Sequence, residues 1–100
     1  MSTPLGILAT WEKQPGERQD YDIDFGEWLR RLDDAPAASN PVAVSAQPGI
    51  NLVAHSLVGS VVKVWLDGGD ANKRYKVTAT MTTAGGRIKE AEIMIHVKEV

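Results

Sequence analysis

Three carboxylates, those of Asp20, Asp22 and Asp24, form the densest group of reactive or metal-binding side chains in this 100-residue chain. Alternate residues of a β-strand share one face, about 7 Å apart, so the three carboxylates would form a row. A calcium site needs several oxygens that converge on one ion, normally from a loop. Because a flat row does not converge, we expect a solvated outward face here and no metal site.

The other reactive residues do not form a catalytic or metal-binding pattern. His55 and His96 lie far apart in the sequence and cysteine is absent, so a zinc site is not expected. The serines lack both the G-x-S-x-G elbow of a nucleophile and a triad order. The paired glycines fit turns, and not a phosphate-binding loop that precedes a helix. We therefore expect no enzyme activity, no cofactor and no small-molecule substrate.

The three tryptophans are the candidates for molecular recognition. Trp11 is in phase with Ile7 and Ala9, which predicts a position in the core. Trp28 follows the second predicted strand and is expected to cap one open end of the fold. Trp65 is out of phase with the apolar residues around it, so its side chain is expected to point outward.

An outward tryptophan either covers a loop or anchors a partner, and tryptophan is enriched among the residues that dominate binding energy at interfaces. We predict Trp65 as an interface anchor, with Trp28 second. Met94 and Ile88 share the outward face of the last predicted strand. They would extend an apolar patch if that strand lies near Trp65.

Alternating apolar and polar residues predict the elements that hold these side chains in place. A period of two, interrupted by turn residues such as Gly68-Gly69 and Gly85-Gly86, is typical of antiparallel strands with one buried face. Residues 26–32 break the alternation and predict one short helical turn. About seven strands are predicted, at residues 6–13, 18–25, 41–46, 50–58, 61–66, 75–82 and 90–97, with one strand or two in residues 50–58.

The count of strands and the absence of a long helix predict an all-β fold. The expected architecture is an immunoglobulin-like antiparallel β-sandwich of about seven strands, with residues 1–100 forming a single domain. Asp70 and Tyr75 stand where a tyrosine corner would lie, a motif in which the phenol reaches back to the backbone a few residues upstream.

The middle of the chain is the least regular part of the sequence. Residues 33–49 are rich in Pro, Ala and Ser, and they support only a short strand that Pro41 would place at the edge of a sheet or at its first position. In the strand that follows, Ile50, Leu52 and Ala54 are in phase and are expected to share one face.

Composition and charge exclude several classes of partner. The formal net charge is -2, and the eleven Lys and Arg residues are scattered, whereas nucleic-acid binders usually carry a basic stripe. Residues 1–8 lack the features of a signal peptide, and no apolar run approaches the length of a membrane span. We expect a protein that does not cross a membrane and that binds neither nucleic acid nor lipid.

Two blocks of residues, taken together, resemble a known family. The first consists of Trp11, Pro15, Glu17, Tyr21, Ile23, Asp24, Trp28 and Leu29. The second consists of Val64-Trp65-Leu66, Gly68-Gly69, Tyr75, Val77-Thr78, Thr82-Thr83, Gly86-Arg87, Glu90 and Val97. In order and spacing, and over nearly the whole chain, they are similar to the small tailed-bacteriophage proteins called phage fiber–tail adaptors.

This resemblance implies an immunoglobulin-like virion protein that joins a receptor-binding fibre to the tail or neck. It implies no catalysis and no cofactor. A tail protein of this kind would be made in the host cytoplasm and would occupy the virion in multiple copies, in a ring set by the symmetry of the tail. Residues 33–49 depart from the family pattern, which usually has a Gly-Asp pair, a Ser-rich stretch and a tryptophan there.

Two alternatives remain open at this point. A capsid decoration or head–tail joining protein could use the same small sandwich. A carbohydrate-binding module would need a row of exposed aromatic residues or an aromatic-lined cleft, and only Trp65 clearly points outward in the sequence pattern.

Overall fold

Two β-sheets pack face to face in the computed structural model, which describes residues 7–99. One sheet has four strands in the order β1-β7-β6-β3, and the other has three in the order β2-β5-β4. The elements follow in chain order as β1 (Ile7–Lys13), β2 (Gln19–Asp24), α1 (Gly26–Arg31), β3 (Val42–Ala46), β4 (Ile50–Val58), β5 (Val61–Gly68), β6 (Lys73–Thr82) and β7 (Ile88–Val97). The predicted all-β sandwich of seven strands with one short helical turn is confirmed.

One strand pair departs from the predicted antiparallel arrangement. β1 pairs with β7 in parallel, with Trp11 opposite Ile95 and Lys13 opposite Val97, whereas every other pair is antiparallel. Hairpin turns force consecutive strands to run in opposite directions, but β1 and β7 are the first and last strands and no turn joins them. The finer assignment to an immunoglobulin-like fold stays a prediction. The order β2-β5-β4 against β7-β6-β3 supports it, since constant-type immunoglobulin domains pair their strands in this way.

The alternation of apolar and polar residues in β5, β6 and β7 determines which side chains form the core. One phase of each strand is buried between the sheets, and the other phase faces outward. The buried apolar residues of these three strands are Val62, Val64, Leu66, Tyr75, Val77, Ala79, Met81, Ala91, Ile93, Ile95 and Val97. Burial of each Val, Ile or Leu side chain stabilises the fold by roughly 1.5–3 kcal/mol relative to exposure, so this cluster is the main source of stability.

The predicted tyrosine corner is present at one end of the sandwich. The backbone N–H of Asp70 donates a hydrogen bond of 2.9 Å to the hydroxyl oxygen of Tyr75, whose side chain is buried. Gly69 packs against the same ring with a φ of +91°, and a Cβ on it would lie 2.7 Å from a methyl carbon of Val97. Glycine is needed there because both the left-handed backbone and the close packing exclude a side chain.

The helix α1 follows β2 directly. A carboxylate oxygen of Asp24 accepts a hydrogen bond of 2.7 Å from the backbone N–H of Gly26 at the start of the helix. Leu29 is buried in the core, and Glu27 pairs with Arg31 one turn later. Among residues 7–99 no helix has the length and apolar character needed to cross a membrane.

The irregular segment between α1 and β4 is fixed by a carboxylate that the sequence did not single out. Asp34 accepts hydrogen bonds from the backbone N–H of Gly85 (3.0 Å) and from the guanidinium of Arg87 (2.7 Å), and its side chain is almost fully buried. Hydrogen bonds from the Thr83 side chain and the Ala35 backbone, together with Arg87, hold the pKa of Asp34 well below its usual range. This carboxylate ties the segment to the turn between β6 and β7.

The neighbouring strand β3 lies at the edge of the four-stranded sheet, where Pro41 was expected to place it. In β4 the expected phase is only partly right. The register shifts between Leu52 and Ala54, so that a bulge turns Ala54 outward, opposite Trp65, instead of inward beside Ile50 and Leu52.

Candidate interaction surfaces

Trp65 lies at the centre of the outer face of the three-stranded sheet. It stands on the middle strand, β5, with Asp20 of β2 opposite it on one side and Ala54 of β4 on the other. Its side chain is 38% exposed, which confirms the predicted outward orientation. The small Ala54 leaves one edge of the indole uncovered, so the ring offers apolar area to a partner. Its role as an interface anchor stays a prediction.

A lysine organises the aspartate row beside Trp65. The ammonium of Lys63 lies 2.7 Å from a carboxylate oxygen of Asp20 and 3.0 Å from one of Asp22. Hydrogen bonds to these carboxylates raise the pKa of Lys63, and the bond from Lys63 lowers the pKa of Asp20. The row is exposed, as expected, but two of its three members are ion-paired. Asp24 instead holds the start of α1.

The histidines do not come together. His55 lies on β4 and His96 on β7, in different sheets. Within residues 7–99 no group of three or more His, Asp or Glu side chains is arranged to hold a metal ion.

Trp28 lies on α1, at the end of the sandwich where β2 stops. It packs against the core, with its ring centroid 6.4 Å from that of Phe25 in an edge-to-face arrangement, which confirms that it caps this end. The ammonium of Lys89 lies 6.0 Å from the ring centroid, within the range of a cation–π contact. A groove of about 370 Å³ beside the ring is lined by Trp28, Leu32, Arg87, Ile88 and Lys89.

The predicted candidates Trp65 and Trp28 belong to two separate surfaces. Trp65 pairs with Asp20, and Trp28 follows the end of β2 at Asp24; four residues of strand span about 13 Å. The hypothesis that Met94 and Ile88 extend a patch around Trp65 is wrong. Both lie on β7 in the opposite sheet, and Ile88 instead lines the groove beside Trp28.

The prediction that Trp11 lies in the core is also wrong. Trp11 is 45% exposed on β1, an edge strand of the four-stranded sheet, although Lys13 on the same side of β1 is buried. Its ring lies 5.9 Å from that of Tyr21 and lines a cleft of about 430 Å³ between β1 and β2. The patterns in the sequence did not predict this cleft. The signal that could have indicated it is the concentration of acidic residues in positions 12–22, next to Trp11.

A protein-family model matches the chain over residues 13–96, and its description is "Podophage GP4 fiber-tail adaptor protein gp77". The match begins at the last residue of β1 and ends within β7, so it takes in both sheets, α1 and the surfaces around Trp65 and Trp28. A comparison with curated proteins gives no match.

Proposed function

The chain belongs to the podophage fiber-tail adaptor family, and on that premise we propose that it joins a receptor-binding fibre to the tail or neck of the virion without catalysing a reaction. The membership confirms the resemblance seen in the sequence. The family is one of structural components of the phage tail that bind tail and fibre proteins, and it is not a class of enzymes. The observation that carries the proposal is the match from Lys13 to His96.

An adaptor needs two surfaces, and the fold provides two that are separate. We assign one contact to the outer face around Trp65 and the other to the end of the sandwich around Trp28. Each surface has a partly exposed indole next to charged side chains: Lys63 and Asp20 beside Trp65, and Lys89 beside Trp28. An aromatic anchor surrounded by polar groups is the usual composition of an interface centre.

The free edge of β4 supports the proposal that several copies form a ring. Among residues 7–99, β4 pairs only with β5, and its nine residues, Ile50–Val58, include no proline, lysine, arginine or carboxylate. Exposed edge strands in proteins that stay apart are usually blunted by charge or proline. The bulge at Val53 is the only such device in β4. Modest contacts repeated around a ring would then act together through avidity.

The proposal predicts that Trp65→Ala weakens incorporation of the protein into tails while leaving the fold intact. Losing a central aromatic anchor commonly weakens an interface by about 2 kcal/mol or more, roughly thirtyfold in affinity. The measurement is the amount of protein retained on particles purified from infections complemented with each variant. Met94→Ala is the matched control, since it shortens a partly exposed side chain on the opposite outer face.

Four outcomes would contradict parts of this proposal. Equal retention of Trp65→Ala and Met94→Ala would remove Trp65 as an anchor. A Trp65→Ala protein that no longer unfolds cooperatively would show that the side chain is structural. Immunogold labelling over the head instead of the tail would favour a capsid decoration protein. Symmetry-averaged electron microscopy of the tail tests the ring, which a single copy per particle would refute.

A further inference from the structure

The cleft between β1 and β2 contains aromatic and acidic side chains, of which only the aspartates beside Lys63 also border the Trp65 surface described above. β1 and β2 belong to different sheets, so the edges that they turn toward each other carry no ladder of hydrogen bonds. The cleft has a volume of about 430 Å³. Four carboxylates and two aromatic rings line it: Glu12, Glu17, Asp20, Asp22, Trp11 and Tyr21.

The carboxylates give the cleft a net negative charge. Lys63 is shared by Asp20 and Asp22, and the ammonium of Lys13 interacts with Glu17, so two cations face four carboxylates. Glu17 accepts neutral hydrogen bonds, one of 2.7 Å from the backbone N–H of Gln14. Among the described residues, Glu12 has no ion-pair partner. The carboxylates therefore outnumber the ammonium groups beside them, and the cleft keeps a net negative charge.

The hydroxyl of Tyr21 is a second and independent sign of a missing ligand. Tyr21 is only 6% exposed, and its hydroxyl has no hydrogen-bond partner among the described residues. A buried hydroxyl without a partner costs about 1–3 kcal/mol, and native structures rarely retain one without a reason. Burial, and after it the charges of Glu17 and Asp20, raise the pKa of Tyr21 to about 12. The phenol is thus neutral and lies in a negative potential.

Trp11 gives the cleft a flat apolar wall. Its ring is 45% exposed and lies against Tyr21, with 5.9 Å between the ring centroids and 46° between the ring planes. An exposed indole face next to carboxylates suits a planar cation, which can stack on the ring and donate hydrogen bonds from its rim.

We propose that this cleft receives an arginine side chain from a partner protein. Guanidinium is planar, carries only donors, stacks on indole and is more weakly hydrated than an ammonium. It can bond to a carboxylate through two parallel N–H groups, and its donors also suit the free lone pairs of the Tyr21 hydroxyl. The inference rests on the proposed adaptor function in one respect, since a tail or fibre protein is the source of the arginine. The family match begins at Lys13 and leaves out Trp11 and Glu12, so the proposal depends on the geometry alone.

The test is a titration of the intact chain with the acetylated, amidated tripeptide Gly-Arg-Gly, followed by the NMR signal of the Trp11 indole N–H. Two matched peptides replace arginine with lysine or with citrulline, which has nearly the same shape as arginine but no charge. We expect saturable shifts with the arginine peptide and affinities at least about tenfold weaker for citrulline, as for any loss of a charge-assisted hydrogen bond. Glu17→Gln should weaken binding of the arginine peptide, whereas Glu90→Gln, on β7 outside the cleft, should not.

Each outcome bears on one claim. Shifts that are absent, or equal for arginine and citrulline, would overturn the proposal. Equal affinity for the lysine peptide would show a general cation site and would overturn the choice of arginine. If peptide binding fails while immunogold labelling marks the tail, the cleft assignment falls and the adaptor function stands. If the peptide binds but particles carry no label, even after disruption, the adaptor function falls and the arginine site stands.

Discussion

The two tyrosines of the chain allow the same chemical change to be made in opposite environments. The Tyr75 hydroxyl accepts a hydrogen bond of 2.9 Å from the Asp70 backbone, whereas the Tyr21 hydroxyl is buried without a partner. Both side chains are at most 6% exposed. Replacing each with phenylalanine removes one oxygen atom and leaves the ring. We predict that Tyr75→Phe destabilises the protein and that Tyr21→Phe stabilises it.

The magnitudes follow from the two environments. Loss of a neutral hydrogen bond costs about 0.5–1.5 kcal/mol, and the exposed position of Asp70 lets water replace part of it, so we expect the lower half of that range for Tyr75→Phe. Removing the orphaned hydroxyl of Tyr21 should recover about 1–3 kcal/mol of desolvation. In a domain of this size 1 kcal/mol shifts Tm by roughly 4–8 °C, so the two variants should differ by at least about 6 °C.

The same substitution at Tyr21 should also change the response to alkaline pH. Its pKa is raised from 10.0 to about 12 by burial and by nearby carboxylates. In that range the unfolded chain loses the phenol proton and the folded chain keeps it. The contribution of Tyr21 to stability is therefore complete below pH 10 and is lost as the pH rises toward 12, by up to about 2–3 kcal/mol. Tyr21→Phe should remove this part of the alkaline loss.

Thermal unfolding followed by tryptophan fluorescence measures the difference in Tm between the variants. Urea unfolding gives the free energies of unfolding, and an unchanged slope shows that its midpoint reports stability. Urea curves of the Tyr21→Phe variant and of the parent protein are then repeated between pH 8 and 11. The difference between their free energies of unfolding, followed against pH, gives the loss of stability that is due to Tyr21. If Tyr21→Phe were destabilised as much as Tyr75→Phe, the Tyr21 hydroxyl must have a partner in solution. The basis for the cleft as a ligand site would then be lost.

Two further predictions concern the packing that holds the ends of the sandwich. Asp34→Asn should lower Tm most near neutral pH and progressively less as the pH falls below about 4. The pKa of Asp34 is lowered in the folded state, so its charged form stabilises the fold only above its unfolded pKa. Scanning calorimetry from pH 7 to pH 2 measures the difference in Tm between variant and parent, and a difference that stays constant with pH would refute the stabilising role of the Asp34 charge. Gly69→Ala should destabilise the protein by about 1–3 kcal/mol, since its Cβ would lie 2.7 Å from Val97 at a positive φ. Gly16→Ala is the control: with nothing within 4 Å of its Cβ, it should change the free energy of unfolding in urea by less than about 0.5 kcal/mol. Equal effects at the two glycines would contradict this reasoning.

Alternation predicted the sheets well because burial selects one phase of a strand directly. In β6, for example, Val77 and Met81 are fully buried while Thr78 and Thr80 face outward. The tyrosine corner was predictable for a similar reason, since its two residues are close in sequence. Local patterns therefore gave the elements, the core and the outward position of Trp65.

The errors arose where long-range geometry overrides local phase. A single extra residue at Val53 reverses the orientation of Ala54, and no glycine, proline or other turn residue in the sequence indicates this bulge. The position of Asp34 depends on Arg87, which is 53 residues away. The parallel pairing of β1 depends on the free edge that β7 offers in the four-stranded sheet. Period-two patterns contain none of this information.

The misplacement of Trp11 has a cause that also explains the cleft. Phase puts Trp11 on the inward side of β1, and the structure does so too, since its register partner Ile95 is buried. At this edge of the four-stranded sheet, however, the cover is uneven. Lys13, on the same side of β1, is buried and its ammonium donates a hydrogen bond of 2.6 Å to the carbonyl of Gly68, whereas Trp11 is 45% exposed. β2 packs over β7, and Trp11 contacts the ring of Tyr21 at one side of the cleft. An inward tryptophan over a hydroxyl without a partner lowers the stability of the free chain, and a ligand that fills the space would restore it. The Tyr21→Phe variant should accordingly be more stable alone and bind the arginine peptide less well, which couples the stability measurement to the proposed site.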